Sequence, residues 1–93
     1  MVKIERIISK VKEILEDGNI TQAIAEAALL LGDSTLHERA KLLNKLVSTY
    51  AYKSDAYVPE ELLSFRDLLM AELFGVAYAK LGDADVTTFK AIW

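Results

Sequence analysis

Residues 59–82 read PEELLSFRDLLMAELFGVAYAKLG, and this stretch decides the fold class. Its apolar residues recur at steps of three and four, which is the spacing of residues on one face of an α-helix. A helix that is apolar on two sides either lies at the centre of a core or connects the core to a partner. The two apolar stripes are Leu62, Phe65, Leu69, Leu73 and Val76, and Leu63, Met70, Phe74, Ala77 and Leu81.

The same periodicity before and after this stretch predicts an all-α protein, a compact bundle of four to five helices in mostly antiparallel order. A chain of 93 residues is expected to form a single domain, here 1–93. Glycines that follow the apolar stripes are predicted to end three helices, at Gly18, Gly32 and Gly82. The predicted helices cover about 3–17, 20–31, 35–53, 59–81 and 84–92.

Helix starts are predicted from residues whose side chains can accept a backbone N–H. Pro59 suits the first position of the fourth helix, where its missing N–H is not needed. The predicted caps are Asn19 with Gln22, Thr35 with Glu38, and Asp83 or Asp85 for the last helix.

Each helix has a predicted inner face. In the third helix Leu42 and Leu46 are expected to broaden that face, and Tyr50 is expected to belong to it. The Ala residues of the second helix would let a neighbouring helix approach closely. The predicted inner residues outside the fourth helix are Ile4, Ile7, Val11 and Ile14; Ile20, Ala23, Ile24, Ala27, Leu30 and Leu31; Leu36, Ala40, Leu43, Val47 and Tyr50; and Val86, Phe89, Ile92 and Trp93.

Composition excludes several classes of site. The chain has no Cys and one His, which excludes disulfides, thiolate metal sites and multi-histidine metal sites. The net charge of −3 and the pI of about 5.1 argue against direct nucleic-acid binding. No apolar run reaches the roughly 18 residues of a membrane span, and no targeting segment is visible, so we expect a cytoplasmic protein without membrane contact.

Apolar residues are somewhat in excess. Hydrophobic residues make up 53% of the chain, whereas ordinary domains contain about 45–50%. The excess predicts that some apolar surface is buried against a partner or another copy. Gln, Asn, Met and Cys are scarce, which is a tendency of thermophilic proteins.

Three polar features could carry chemistry, but each has a simpler structural explanation. His37 has no orienting acid or nucleophile that the sequence can place beside it, and it is expected at the surface. Asp33, Ser34 and Thr35 are explained by helix capping. Glu72 is expected to pair with a base such as Arg66 or Lys80, or to reach solvent. The sequence therefore predicts no enzyme, no catalytic residue, no metal and no cofactor, although a small-ligand pocket between helices 3 and 4 near Glu72 stays open as an alternative.

Aromatic and apolar residues are the candidates for partner binding. Tyrosines concentrate at protein interfaces, and Tyr52 and Tyr57 lie around the connection of helices 3 and 4. Trp93 is expected to be packed, either in the core or against another chain. The heptad-like spacing in helix 1 favours self-association as an alternative. The candidate partner-binding residues are Tyr52, Tyr57, Phe89, Trp93, Ile7 and Val11.

Two resemblances add expectations about function. Phe74-Gly75, Tyr78 and Leu81-Gly82-Asp83 resemble the L-G-x-x-Y-x-x-x-G-D rhythm of a tetratricopeptide repeat, although Thr87 stands where that family prefers Ala. This resemblance implies a helix hairpin.

In size, acidity and lack of Cys, the chain also resembles small accessory subunits of the crenarchaeal B-family DNA polymerase holoenzyme. That resemblance rests on size, helicity and composition, and it implies a non-catalytic protein-interaction subunit in archaeal DNA replication. The alternatives are a homo-oligomeric helical protein, as in viruses, and a small-ligand-binding bundle.

Overall fold

The computed structural model describes residues 4–53 and 59–93, with the backbone alone for 51–53. These residues form helices and connecting turns with no strand, so the all-α prediction is confirmed. Every helix boundary lies within one residue of its predicted position. The helices are α1 (Ile4–Glu16), α2 (Ile20–Leu30), α3 (Ser34–Lys53), α4 (Glu60–Lys80) and α5 (Asp83–Ala91).

Two of the three predicted glycine stops have left-handed backbone. Gly18 has φ +80° and Gly32 has φ +86°, a conformation that costs other residues more than glycine. The N–H of Gly32 donates to the Leu29 carbonyl at 3.0 Å, and the N–H of Asp33 donates to the Ala28 carbonyl at 2.9 Å. This pair of bonds is a Schellman motif. Gly82 is different, because its φ is −73° and it caps the start of α5.

The cap of α3 is Asp33, not Thr35 as predicted. The Asp33 carboxylate accepts the N–H of Leu36 at 2.9 Å, and its carbonyl accepts the N–H of His37 at 3.0 Å. Because α3 begins at Ser34, Thr35 is already inside the helix. The cap lies two residues earlier than predicted, and it is a carboxylate instead of a hydroxyl. A negative charge at this position also interacts favourably with the positive end of the helix dipole.

The remaining caps are partly as predicted. Asn19 caps α2 by accepting the N–H of Gln22 at 3.0 Å, while the Gln22 side chain bonds to the Asn19 side-chain amide rather than to its backbone. Pro59 is the N-cap of α4 and not its first helical residue. The prediction of a side-chain cap on α5 is wrong, because Asp83 and Asp85 lie in its first turn and neither caps it.

Helix α2 lies at the centre of the fold, in contact with α1, α3 and α4. Its alanines at 23, 25, 27 and 28 are buried, and such small side chains let the neighbouring helix axes come close, as predicted. No helix of the described ranges is both long and apolar enough to cross a bilayer. The largest fully buried side chains are Ile7, Val11, Ile24, Leu31, Leu43, Leu69, Leu73 and Phe89.

Helices α3 and α4 run antiparallel. A Cβ placed on Gly32, just before α3, would lie 3.8 Å from the Lys80 amino group at the end of α4. Further along, the Arg39 guanidinium lies 2.6 Å from the Glu72 carboxylate. One turn later Asn44 lines the same surface hollow as Arg66. These observations place the two helices side by side in opposite directions, with the start of α3 near the end of α4.

Candidate interaction surface

The outer side of α3 carries apolar residues that the sequence placed inside. Leu42 is 61% exposed, Leu46 is 41% exposed and Tyr50 is 42% exposed, so the prediction that they belong to the inner face is wrong. The buried residues of α3 form a narrow stripe that includes Ala40 and Leu43. Successive residues of an α-helix are about 100° apart, so Leu42 points well away from the stripe that Leu43 belongs to.

Helix α4 also leaves apolar residues on its outer side. Leu69 and Leu73 are fully buried, whereas Leu68 is 51% exposed and Phe65 is 37% exposed. Leu69 and Leu73, which belong to one of the two predicted apolar stripes, are therefore confirmed as buried. Phe65 of the same stripe lies at the boundary with solvent. Phe65 lies on the side of α4 that turns toward α3, because the Arg39 guanidinium lies over its ring. Leu68 follows three residues later, close to Phe65 on the same side of the helix.

An ion pair joins the two exposed stripes at one end. Arg39 of α3 bonds to Glu72 of α4 at 2.6 Å, and its guanidinium carbon lies 5.7 Å from the centre of the Phe65 ring. Because the helices are antiparallel, the exposed residues that follow Arg39 in α3 run beside those that precede Glu72 in α4. We call this surface the α3–α4 face, and it consists of Leu42, Leu46, Tyr50, Phe65 and Leu68.

The two edges of the α3–α4 face differ in charge. On the α3 edge stand Lys41, which lies 3.6 Å from Glu38, and the exposed Lys45. On the α4 edge Glu60 and Glu61 line an open hollow of about 480 Å³ together with Ser64, Phe65 and Leu68. Asp67, further along this edge, lies 3.7 Å from Arg66. Lysines therefore mark the α3 edge and carboxylates the α4 edge, although Lys41 is paired with Glu38 and Asp67 with Arg66. We call them the basic edge and the acidic edge.

A second hollow, of about 700 Å³, lies between α1 and α5. Charged residues such as Glu5, Lys12 and Glu13 alternate in its lining with Ile4 and Ile8, and both isoleucines are already partly buried in the fold. It is larger than the hollow on α4, but exposed apolar area is what association buries. The α3–α4 face is therefore the stronger candidate for an interaction surface.

Three of the residues predicted for partner binding are core residues. Ile7 is 1% exposed, and Val11 and Phe89 are fully buried within the chain's own core. The regularly spaced apolar residues of α1 pack against the other helices of the same chain. Packing inside a helical bundle requires nearly the same spacing as a coiled-coil seam. In this fold these three side chains present no surface to another molecule.

Trp93 packs against its own chain. Its ring lies edge-on to Phe74 at 6.5 Å and to Phe89 at 5.8 Å between centroids, an arrangement typical of packed aromatic residues. Tyr52 lies in α3, where only the backbone is described, and Tyr57 lies outside the described residues. Their predicted role in partner binding therefore stays a prediction.

The polar residues singled out as possible catalysts have structural roles. Glu72 bonds to Arg39 on the neighbouring helix, and not to Arg66 or Lys80 as predicted. His37 is half-buried, and its Nδ1 lies 2.7 Å from the Ala25 carbonyl oxygen, so it joins α3 to α2 rather than standing free at the surface. Asp33 caps α3.

A scan against protein-family models finds no match, and comparisons with curated proteins and with solved structures find none either. The two resemblances noted in the sequence stay predictions. The fold and its exposed surface are the ground on which a function is proposed.

Proposed function

We propose that this protein is a non-catalytic protein-interaction subunit whose α3–α4 face is covered by another protein chain. The observation that carries the proposal is the concentration of exposed apolar side chains. Among the described residues eight large hydrophobic side chains are exposed, and five of them form this face. The other three, Ile20, Leu29 and Tyr78, are spread over α2 and α4.

Contiguous apolar surface is costly in water, and on soluble domains it marks sites of association. Single exposed hydrophobic residues are ordinary and need no explanation. Five on two adjacent helices are different, because a partner can cover them all at once. The Arg39–Glu72 pair closes one end of the face, and the acidic start of α4 lies at the other.

The non-catalytic part of the proposal is supported by what the polar groups do. Glu72, His37 and Asp33 each bond to a neighbouring helix or to a helix terminus. An acid–base catalyst needs a side chain that can face a substrate with its proton-transfer partner in reach. These three groups are occupied by structural contacts.

Photo-crosslinking tests the proposal. A photoreactive amino acid replaces Leu68 on the face, and in a matched variant it replaces Leu29, which is similarly exposed at 48% but lies on α2. We expect protein crosslinks from position 68 and few from position 29, in cells that produce the full chain. The crosslinks from position 68 should disappear when Leu42→Glu is added on the same face.

Equal crosslinking from both positions, or none from position 68, would contradict the proposal. Mass spectrometry of the captured chain tests the expectation of a larger complex. Capture of a subunit of a B-family DNA polymerase would support the resemblance to replicative accessory subunits. Capture of another copy of the chain would favour the homo-oligomeric alternative.

A further inference from the structure

We infer that the chain that covers the α3–α4 face is a second copy of this protein, in a two-fold symmetric dimer in which α3 packs against α4 of the other copy. The inference rests on the proposed function, since it names the partner of the same surface. Its basis is that α3 and α4 each contribute exposed leucines to the face, and that the charges at the edges of the two helices are opposite.

Exposed leucines occupy matched positions on the two helices. On α3, the exposed Leu46 directly follows Lys45, and on α4 the exposed Leu68 directly follows Asp67. Each helix thus presents a leucine with a charged neighbour at its outer edge, and the two charges are opposite. A dimer that sets α3 on α4 of the other copy buries leucine on leucine and places Lys45 beside Asp67.

The heights of these residues agree. Arg39 reaches both Glu72 and the Phe65 ring, so it lies beside the α4 segment between those two residues. Asn44 lines one hollow with Arg66, and this places the neighbouring Lys45 near the segment that holds Asp67. A two-fold axis parallel to α3 and α4 leaves each residue at the same position along the helix direction. It exchanges the two edges of the face, so that the α3 edge of one copy meets the α4 edge of the other. Lys45 of one copy then meets Asp67 of the other, twice in each dimer, as an isologous interface requires.

The alternative two-fold axis, perpendicular to the hairpin, would set α3 on α3 and α4 on α4. That arrangement would place the basic edge, with Lys41 and Lys45, against its own copy, and likewise the acidic edge with Glu60 and Glu61. Like charges at an interface suppress association. The charges therefore select the first arrangement, in which every adjacent pair of the four helices is antiparallel, as in four-helix bundles.

The size of the face limits how strong a dimer can be. The face runs from the start of α4 to the Arg39–Glu72 pair, and residues 60–72 of α4 correspond to about 20 Å. Two packed helices present a face roughly 20 Å wide, so the face offers roughly 400 Å² per copy, which is less than the about 600 Å² on each side at which stable interfaces begin. We therefore expect a weak, reversible dimer with a dissociation constant on the order of a millimolar.

Sedimentation equilibrium of the full chain from micromolar to millimolar concentration tests the inference. We expect a monomer–dimer equilibrium. Leu42→Glu should raise its dissociation constant at least about tenfold, because a carboxylate would be buried in the apolar contact. The matched variant Leu29→Glu, an exposed leucine on α2, should leave the constant unchanged. Circular dichroism of both variants is the control that they are folded.

A charge exchange tests the arrangement of the two copies. Lys45→Glu and Asp67→Lys should each weaken the dimer about threefold to tenfold, since each substitution sets like charges together at both copies of the contact. An equimolar mixture of the two variants should regain the original affinity, because the mixed dimer pairs Glu with Lys and Asp with Lys. Equal weakness of the mixture would overturn the proposed arrangement.

The failure of this inference is distinguishable from the failure of the proposed function. A chain that stays monomeric at every concentration, but whose position 68 still crosslinks to a different protein, would overturn the dimer and leave the interaction surface standing. A monomer without crosslinks from position 68 would overturn both. A dimer that Leu42→Glu does not weaken would show that the copies meet elsewhere, and it would also overturn the inference.

Discussion

Leu68 and Leu69 offer a sharp test of the fold, because they are neighbours of the same residue type in one helix. Leu69 is fully buried, whereas Leu68 is 51% exposed. Replacing a fully buried leucine by alanine removes its transfer free energy and leaves a cavity, at a combined cost of about 2–5 kcal/mol. Domains of this size have a free energy of unfolding of about 5–15 kcal/mol, so Leu69→Ala should remove a large part of the stability.

Leu68→Ala should lower the free energy of unfolding by less than about 1 kcal/mol. About half of the side chain is already in water, and water fills the space that the substitution leaves, so only part of the transfer term is lost. The intrinsic helix propensity changes equally in both variants, so it cancels in the comparison. In a domain of this size each 1 kcal/mol lowers Tm by roughly 4–8 °C.

The measurement is thermal unfolding followed by circular dichroism, at a protein concentration below the dimer dissociation constant, because association would stabilise the folded state. We expect a Tm lowered by about 10–25 °C in Leu69→Ala and by a few degrees in Leu68→Ala. If Leu68→Ala were the more damaging change, α4 would have to be turned by about 100°. The α3–α4 face would then not exist.

Three further predictions concern helix ends and the aromatic cluster. Asp33→Ala should lower the free energy of unfolding by about 1 kcal/mol through loss of the α3 cap. Thr35→Ala should change it little. Denaturant unfolding of the two variants shows which of the two residues caps α3. Gly32→Ala should destabilise the protein by about 1 kcal/mol or more because of the positive φ. Gly75 lies inside α4 with open space around it, so Gly75→Ala should stabilise the protein by up to about 1 kcal/mol. Thermal unfolding should therefore show Tm shifts of opposite sign for the two variants. Phe89→Ala should cost about 3–5 kcal/mol, and an unchanged Tm would contradict the aromatic packing.

Helix boundaries could be predicted from the sequence because their signals are local. Gly18 and Gly32 supply left-handed backbone, and Pro59 marks the start of α4. Each of these signals depends on one or two residues and needs no knowledge of the rest of the fold. The caps were less certain because neighbouring residues compete: Asp33 and Thr35 both have side chains that accept a backbone N–H.

The orientation of α3 could not be predicted in the same way. Leu42, Leu43, Leu46 and Val47 form two adjacent apolar stripes, and periodicity alone does not tell which one is buried. The structure shows that α2 contacts the stripe of Leu43, and this is a property of the tertiary packing. One signal was available in the sequence: Lys41 and Lys45 directly precede Leu42 and Leu46, and charged residues stay near water.

The partner-binding prediction failed to separate core from interface for a related reason. Ile7 and Val11 repeat at the spacing of a heptad seam, but the interior of a helical bundle uses the same spacing. Phe89 and Trp93 form an aromatic cluster with Phe74 inside the chain. A sequence pattern reports that a residue must be covered, and only the fold tells whether its own chain covers it.

The apolar excess of the composition and the exposed α3–α4 face have the same cause, because a domain this small cannot bury all of its apolar side chains. A domain of about 100 residues has a high ratio of surface to volume and buries only roughly two thirds of the area that its unfolded chain exposes. Helix α2, with its row of buried alanines, offers α3 a narrow contact, so α3 cannot turn all of its leucines inward. Leu42 and Leu46 therefore stay outside unless a second layer covers them. The neighbouring helix α4 exposes Leu68 beside them. A partner that covers the exposed leucines of α3 therefore also covers Leu68, and a single association event can bury the apolar residues of both helices.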